Sequence, residues 1–128
     1  MKKNVKPKYV DGFVLAVPKN KINAYLRLAR TCGKIWLEHG ALEYSEWVGD
    51  DLKVTMGIPF PKMIKIKSKE TVVFSWITYK SRAHRNSVNS KVMKDSRMKN
   101  SKDSKFKILR RQLQFLNLRL DLLSICYW

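Results

Sequence analysis

The sequence is poor in the residues that mark several protein classes. Two cysteines, Cys32 and Cys126, are too few for a disulfide scaffold and lack metal-ligand spacing. There are two histidines, His39 and His84, and no carboxylate three or four residues after His84, which disfavours a metal site. No glycine-rich phosphate loop, nucleophile elbow or recognisable pair of catalytic carboxylates occurs, which argues against nucleotide-dependent enzymes. We therefore expect neither a metal nor a cofactor.

Long apolar runs are also missing. None approaches the roughly 20 residues that span a bilayer, so we expect no membrane span. The basic residues 1–6 precede a strand pattern that contains Asp11 rather than a long apolar core, which disfavours a cleaved secretory signal. With 45% hydrophobic residues, 5 glycines and 4 prolines, the 128 residues are typical of one folded domain. We predict a cytoplasmic protein.

Acidic residues are scarce, since 10 Asp and Glu stand against 27 Lys and Arg and give a formal net charge of +17. Such a charge suggests a nucleic-acid partner. The excess, however, is spread over the amino terminus, residues 62–69 and the tail, mostly as lysine, without an arginine and aromatic array. We favour a solubility role for these lysines and keep nucleic-acid or polyanion binding as the alternative.

Hydrophobic periodicity predicts strands at residues 9–17, 41–48 and 71–79, the last of them central, and helices at 20–39 and 81–94. Gly40 is expected to end the first helix and Ser81 to cap the second. Gly12 indicates a bulge or a close backbone approach, residues 54–58 suggest a hairpin extension, and residues 58–61 are expected to break regular structure. A fourth strand from the remaining residues would complete an α+β fold of βαββαβ order, an antiparallel sheet with its helices on one face.

The segment 81–85 (SRAHR) places two guanidiniums and an imidazole in the first turn of the second predicted helix. The helix N-terminus already carries a positive partial charge, so cations there imply a negative partner. That partner is a buried carboxylate of the same chain, a carboxylate of a second subunit, or a phosphate or carboxylate ligand. Within the chain, the candidate salt-bridge carboxylates are Asp11, Glu43 and Glu46.

Several segments resemble, in order and without gaps, the YbaA-like family of small bacterial proteins, a domain of unknown function. The resemblance covers about residues 9–95 and rests on VDGFVLAVP (10–18), GKIWLEHGALEY (33–44), VGDD (48–51), SRAHR (81–85), VN (88–89) and KVM (91–93). It implies a ferredoxin-like fold of the dimeric α/β-barrel kind, in which two subunits lay their sheets together and each keeps a cavity between sheet and helices. Relatives on that scaffold include cofactor-independent monooxygenases, haem-degrading enzymes, lactone isomerases and small-ligand sensors, so the fold alone does not choose an activity.

Two departures from the family pattern are visible. Trp47 occupies a position where the family tends to have a smaller residue, often cysteine. After Asp95, the proline- and glycine-containing segment that leads into the last strand of similar proteins is replaced by a linker-like stretch, residues 99–105. We therefore divide the chain into a YbaA-like ferredoxin-like domain, residues 1–98, and a divergent basic amphipathic tail, residues 99–128. An altered reading frame is our hypothesis for the origin of this tail.

The tail has two competing patterns. Leucines recur at helical spacing from Leu109 onward, and we favour a helix over residues 105–117. Residues 116–122 alternate between apolar and polar side chains, which is typical of the missing edge strand. Both alternatives are kept for the remainder of the tail.

The candidate catalytic residues are Arg82, His84 and Arg85. An imidazole can act as a general acid or base, adjacent arginines favour its neutral form, and paired guanidinium donors can clamp a carboxylate or phosphate. A hydrogen-bonded role inside the core or dimer is the simpler alternative for His84. The candidate ligand-binding residues, which could line the cavity, are Phe13, Trp36, His39, Tyr44 and Trp76. Core packing is the alternative for the aromatic residues, and capping of the first helix is the alternative for His39.

Three functions are compatible with these features. The favoured one is a homodimer that binds a small anionic or aromatic metabolite, with or without cofactor-independent catalysis. The second is a nucleic-acid or polyanion binding protein that uses the lysine-rich surface. The third is a structural dimer in which the arginines of the second helix bridge the subunits.

Overall fold

A computed structural model describes residues 9–99 and 123–126. Strand β1, Tyr9–Pro18, leads through a 3₁₀ turn, Lys19–Lys21, into helix α1, Ile22–Glu38. Strand β2, Glu43–Val48, is followed by the short helix α2, Phe60–Met63, and by strand β3, Glu70–Tyr79. Helix α3, Arg82–Lys94, the short helix α4, Ser96–Lys99, and strand β4, Leu123–Cys126, complete the described part.

The sheet is antiparallel and has the order β2-β3-β1-β4. The predicted central position of the third strand is confirmed, because β3 pairs with β2 on one side and with β1 on the other. The β1–β3 register is continuous from Tyr9 opposite Tyr79 to Pro18 opposite Glu70, so the bulge suggested at Gly12 is wrong. At the other edge of β1, the tail supplies β4, with Tyr9 opposite Cys126. Residues 105–117 and 116–122, for which a helix and a strand were weighed, lie outside the described residues.

Helix α1 packs on the sheet through the apolar stripe that the sequence predicts. Its buried residues are Tyr25, Leu28, Ala29, Cys32, Gly33 and Ile35. Beside α1, Val88 and Val92 of α3 join a core with Ile77 and Tyr79 of β3, so both helices cover the same face. Gly40 follows α1 with φ of 110°, a conformation that favours glycine, and the predicted helix stop is confirmed. No helix in the described ranges is both long and apolar enough to cross a membrane.

The connection between β2 and β3 differs from the prediction. Residues 54–58 form no strand, and their apolar side chains, Val54, Met56 and Ile58, are exposed. Helix α2 begins at Phe60, where regular structure was expected to be broken. Pro61 fits there because the first turn of a helix does not use the amide hydrogen that proline lacks. Pro61 therefore lies in the first turn of a helix and does not interrupt regular structure.

The sheet face opposite α1 and α3, which we call the open face, carries a row of aromatic rings. The ring centroids of Trp47 and Trp76 are 5.7 Å apart, those of Trp76 and Phe74 5.4 Å, and those of Phe74 and Phe60 5.5 Å. Side chains alternate between the faces of a strand, so Trp47 lies on the opposite side of β2 from its neighbour Glu46. Trp47 keeps 58% of its surface exposed. The open face therefore presents large apolar side chains to solvent.

Candidate functional site

The first turn of α3 holds the three candidate catalytic residues, but their side chains have different partners. Ser81 caps the helix as predicted, because its Oγ accepts the amide N–H of His84 at 3.1 Å. Arg82 is exposed and forms no ion pair with any residue that the structure describes. Among the described side chains, the three residues do not converge on a common anion.

Arg85 points toward the sheet and contacts a buried carboxylate. Its Nη1 lies 3.3 Å from Oδ1 of Asp11, and its Nη2 donates to the hydroxyl of Tyr9 at 3.0 Å. The guanidinium carbon also lies 5.1 Å from the centroid of the Tyr9 ring, which adds a cation–π contact. The side chain of Asp11 is only 2% exposed. Arg85 thus has a carboxylate of its own chain as a negative partner.

His84 connects the start of α3 to the turn after α1. Its Nδ1 accepts the amide N–H of Lys80 at 3.0 Å, so the proton of the neutral ring is on Nε2, which lies near Gly40. Burial, followed by the charges of Lys80 and Lys91, lowers the pKa of His84 and outweighs the opposite effect of the Gly40 backbone. The ring therefore favours its neutral form, through burial and lysines rather than through the adjacent arginines.

His39 belongs to a polar network between the end of α1 and the α3–α4 junction. It is the C-terminal cap residue of α1, and its Nε2 lies 2.7 Å from Oδ2 of Asp95. Arg97 contacts Oδ2 of Asp95 at 2.8 Å and Oε2 of Glu38 at 2.6 Å. The hydrogen bonds of Arg97 and then of His39 lower the pKa of Asp95. In the described ranges, no three His, Cys, Asp or Glu side chains are grouped to hold a metal ion.

The predicted aromatic residues lie on both faces of the sheet. On the helix side, Trp36 Nε1 donates to Oδ1 of Asn89 at 3.1 Å, and Tyr79 donates to the same oxygen at 3.2 Å. Phe13 packs against the core on this side. Trp76 lies on the open face, and its Nε1 donates to Glu43 at 2.7 Å. These aromatic side chains therefore do not line one common cavity.

A groove of about 510 Å³ lies between α1 and β2, and we call it the α1–β2 groove. Helix α1 contributes its apolar and cationic lining, Leu26, Ala29, Arg30, Gly33, Lys34 and Leu37. Strand β2 contributes Tyr44 and Glu46. Of the five predicted ligand-binding residues, Tyr44 is the one that lines this groove. Trp36 stands behind Tyr44, with ring centroids 6.3 Å apart.

Glu46 is the polar centre of the α1–β2 groove. Its Oε2 accepts a hydrogen bond from the Tyr25 hydroxyl at 2.9 Å, and its Oε1 accepts one from the Tyr44 hydroxyl at 2.9 Å. Burial raises the pKa of Glu46, although the two hydroxyl donors act in the opposite direction. Burial, then the charge of Glu46, raises the pKa of both tyrosines and brings that of Cys32 to about 11. The two tyrosines stay protonated and act as donors.

The closeness of α1 to β2 depends on Gly33. A Cβ atom at this position would lie 2.9 Å from Cδ1 of Tyr44, closer than side chains tolerate. The ring of Tyr44 therefore packs directly on the helix backbone and forms part of the groove wall. Gly33 is buried on α1, and Glu46 lies beside Tyr44 in the wall that β2 contributes to the groove. Sequence reasoning treated Glu46 only as a salt-bridge acceptor, and the signal it missed was a carboxylate on a core-facing strand position.

Comparison with known proteins identifies a family whose members this chain resembles in sequence. A family model described as "Protein of unknown function (DUF1428)" matches residues 8–108. The uncharacterized protein YbaA of Escherichia coli K12 is 46% identical over 95 residues, which cover 72% of this chain and 79% of that protein. YbaA of Escherichia coli O157:H7 and YbaA of Shigella flexneri match with the same values.

One solved structure, "The crystal structure of AtUAH in complex with glyoxylate", aligns with a TM-score of 0.32 and 15% identity. The alignment covers 93% of this chain and 26% of that chain. The range matched by the family model contains the motifs at residues 10–18, 33–44 and 81–85. The chain belongs to the DUF1428 family of proteins of unknown function, which confirms the resemblance to the YbaA-like proteins.

Proposed function

We propose that the protein is a homodimer that binds a small molecule with an anionic group and an apolar or aromatic body in the α1–β2 groove. The observation that carries the proposal is the lining of this groove. Its apolar side chains, including Leu26 and Leu37, lie beside two cations, Arg30 and Lys34. A groove of about 510 Å³ lies within the size range of small-molecule sites.

The two cations support an anionic ligand. Arg30 and Lys34 are one helical turn apart on α1, and like charges at this spacing destabilise a helix. Neither forms an ion pair with a carboxylate in the described ranges. A bound carboxylate or phosphate would relieve this repulsion and accept charge-assisted hydrogen bonds. The ring of Tyr44 offers a flat apolar surface for the body of the same ligand.

The dimer part of the proposal rests on the open face. The order β2-β3-β1-β4 with helices on one face supports a ferredoxin-like fold. In the dimeric α/β barrel that the family resemblance implies, the opposite faces of two such sheets pair. Trp47, 58% exposed, and Phe60, 38% exposed, lie in the aromatic row of this face. Burying such a row against a second copy is favourable because apolar area leaves water. A cytoplasmic location and the division into residues 1–98 and 99–128 stay predictions.

A catalytic role for Arg82, His84 and Arg85 also stays a prediction. The ion pair of Arg85 with Asp11 supports a structural role for this arginine. His84 is a neutral ring with both nitrogens facing backbone groups. Our proposal therefore assigns binding to the α1–β2 groove and makes no use of these three side chains in a reaction.

Thermal shift and NMR titration test the binding proposal with simple probes. Benzoate and indole-3-acetate are expected to raise the melting temperature and to shift resonances of Tyr44, whereas cyclohexylamine, a cation of similar size, is expected to do neither. Replacing Arg30 and Lys34 together by glutamine should weaken carboxylate binding about tenfold or more, since each charge-assisted bond contributes about 1.5–3 kcal/mol. Arg27→Gln, one turn earlier on α1, is the matched control. Equal effects of carboxylates and amine, or equal loss in the control, would contradict the proposal.

Light scattering after size-exclusion chromatography tests the dimer. The wild-type protein should have twice the mass of one chain, and Trp47→Glu should reduce it to one, because a charge replaces a ring on the open face. Leu37→Glu, at a position 47% exposed on the helix side, should leave the dimer intact. A wild-type monomer, or dissociation by Leu37→Glu alone, would refute pairing through the open face.

A second function, polyanion binding, is supported by one cluster of lysines. The amide of Lys19 donates to the carbonyl of Lys69 at 2.9 Å, which brings residues 19–21 beside residues 67–69. Four lysines, at positions 19, 21, 67 and 69, therefore lie at one end of the sheet near the start of α1. Titration with a fluorescent single-stranded oligonucleotide at two salt concentrations tests this. Affinity that falls steeply with salt and weakens in a quadruple Lys→Gln variant would support it, and salt-independent binding would not.

A further inference from the structure

We propose that Glu46 is the specificity-determining residue of the α1–β2 groove and that the ligand carries a hydroxyl donor at the end opposite its anionic group. The inference rests on the proposed function, because it concerns the same groove. It narrows the ligand class from anions with an apolar body to hydroxylated aromatic acids. The juxtaposition that points to it is a carboxylate on one wall and two cations on the other.

The first step is the hydrogen-bonding capacity that Glu46 has left. An ionised carboxylate has about four acceptor positions. The hydroxyls of Tyr25 and Tyr44 occupy one position on each oxygen. Glu46 is itself part of the groove lining, so its remaining capacity is directed to a site that a ligand can reach.

The second step is the solvation of this carboxylate. Burial raises the pKa of Glu46 even with two hydroxyl donors in place, so its ionised form has lost more hydration than the tyrosines restore. An additional donor from a ligand is therefore favourable. A ligand that covers Glu46 without such a donor removes the remaining water from the carboxylate and forms no hydrogen bond to replace it, so its binding is weakened.

The third step is the charge on the two walls. Glu46 and Tyr44 come from β2, and Arg30 and Lys34 come from α1. A ligand carboxylate against Glu46 would be repelled, and a ligand ammonium near Arg30 and Lys34 would be repelled as well. The arrangement fits a molecule whose carboxylate faces α1 and whose neutral hydroxyl faces β2. The aromatic ring between these groups lies against Tyr44 and the leucines of α1.

A pair of probes that differ in one hydroxyl group isolates this contact. In isothermal titration of the full-length protein, 4-hydroxyphenylacetate is expected to bind roughly tenfold to a hundredfold more tightly than phenylacetate, the range for a hydrogen bond to a charged group. 4-Methoxyphenylacetate, which keeps the oxygen but not the donor, should bind no better than phenylacetate. This comparison uses only the wild-type protein, so it holds whether or not a variant folds.

Two variants identify the acceptor. Glu46→Gln should reduce the preference for 4-hydroxyphenylacetate to about threefold or less while phenylacetate still binds, because the charge-assisted bond is lost. Glu43→Gln is the matched control: it lies on the same strand, faces the open side and accepts from Trp76, and it should leave the preference unchanged.

The outcomes separate the two proposals. If no aromatic acid binds, the proposed function fails. If all three acids bind equally, the groove is a carboxylate site and the role of Glu46 is overturned. If the preference survives Glu46→Gln, another group accepts the hydroxyl hydrogen bond and the inference is equally overturned.

Discussion

Replacing Arg85 by methionine removes the guanidinium that lies between Tyr9 and the buried carboxylate of Asp11. Asp11 exposes 2% of its side chain and Arg85 exposes 16%, so the pair is largely withdrawn from water. Removing one partner of a buried ion pair costs about 3–5 kcal/mol, because the other charge stays buried without it. Domains are stable by about 5–15 kcal/mol. Arg85→Met should therefore lower the melting temperature by roughly 10–20 °C.

A double-mutant cycle measured by urea denaturation and far-UV circular dichroism tests this reasoning. Asp11→Asn together with Arg85→Met should cost at least about 1 kcal/mol less than the sum of the single changes, since the second substitution removes the uncompensated charge. Arg82→Met is the control in the same helical turn: its exposed side chain should matter by about 0.5 kcal/mol or less. Additive single effects, or an equal loss from Arg82→Met, would refute the assignment of stability to this ion pair.

Three further predictions concern the groove and the polar network. Gly33→Ala should lower stability by up to about 2 kcal/mol in urea denaturation, because crowding of the Tyr44 ring costs about 1–3 kcal/mol and the helix gain offsets about 1 kcal/mol of it. A more stable variant would contradict the close approach. The raised pKa of Glu46 means that its carboxyl group binds a proton more tightly in the folded than in the unfolded state. The free energy of unfolding should therefore fall as pH rises from about 4.3 through the folded pKa. Glu46→Gln should flatten this part of the curve of stability against pH. For Asp95 the pH dependence has the opposite sign: its lowered pKa stabilises the protein above about pH 3.9, and that contribution is lost as pH falls through the folded pKa. Asp95→Asn should therefore make stability less sensitive to acid. An unchanged loss of stability at low pH would count against the network.

The elements that the sequence predicts well are those set by local signals. The continuous β-branched and aromatic run at 71–79 fits a strand paired on both sides, and Ser81 makes its cap within one turn of α3. The segment 54–58 has an apolar pattern like that of a strand, but no strand pairs with it in the described part of the chain. Pattern alone cannot supply a pairing partner, and for that reason this prediction is wrong.

The candidate site was less accessible to sequence reasoning because it joins distant residues. Asp11 and Arg85 meet across 74 positions, and Tyr25 and Glu46 across 21. Periodicity identifies which face of α1 or β2 is buried but not which residues of the two faces lie opposite each other. Tyr44 could be predicted from the sequence because aromatic side chains commonly line ligand cavities. Glu46, two residues later on the same face, has its role only because the hydroxyls of two tyrosines lie beside it.

The sorting of tryptophans between the two faces of the sheet gives the open face an optical signal of its own. Trp47 and Trp76 stack at 5.7 Å on the open face, and indoles this close couple their electronic transitions into a paired circular dichroism band. Trp36 lies on the helix side, behind the ring of Tyr44 and apart from the stacked pair. A change in this dichroism band therefore tests the proposed pairing through the open face without any label, because Trp36 does not belong to the stacked pair.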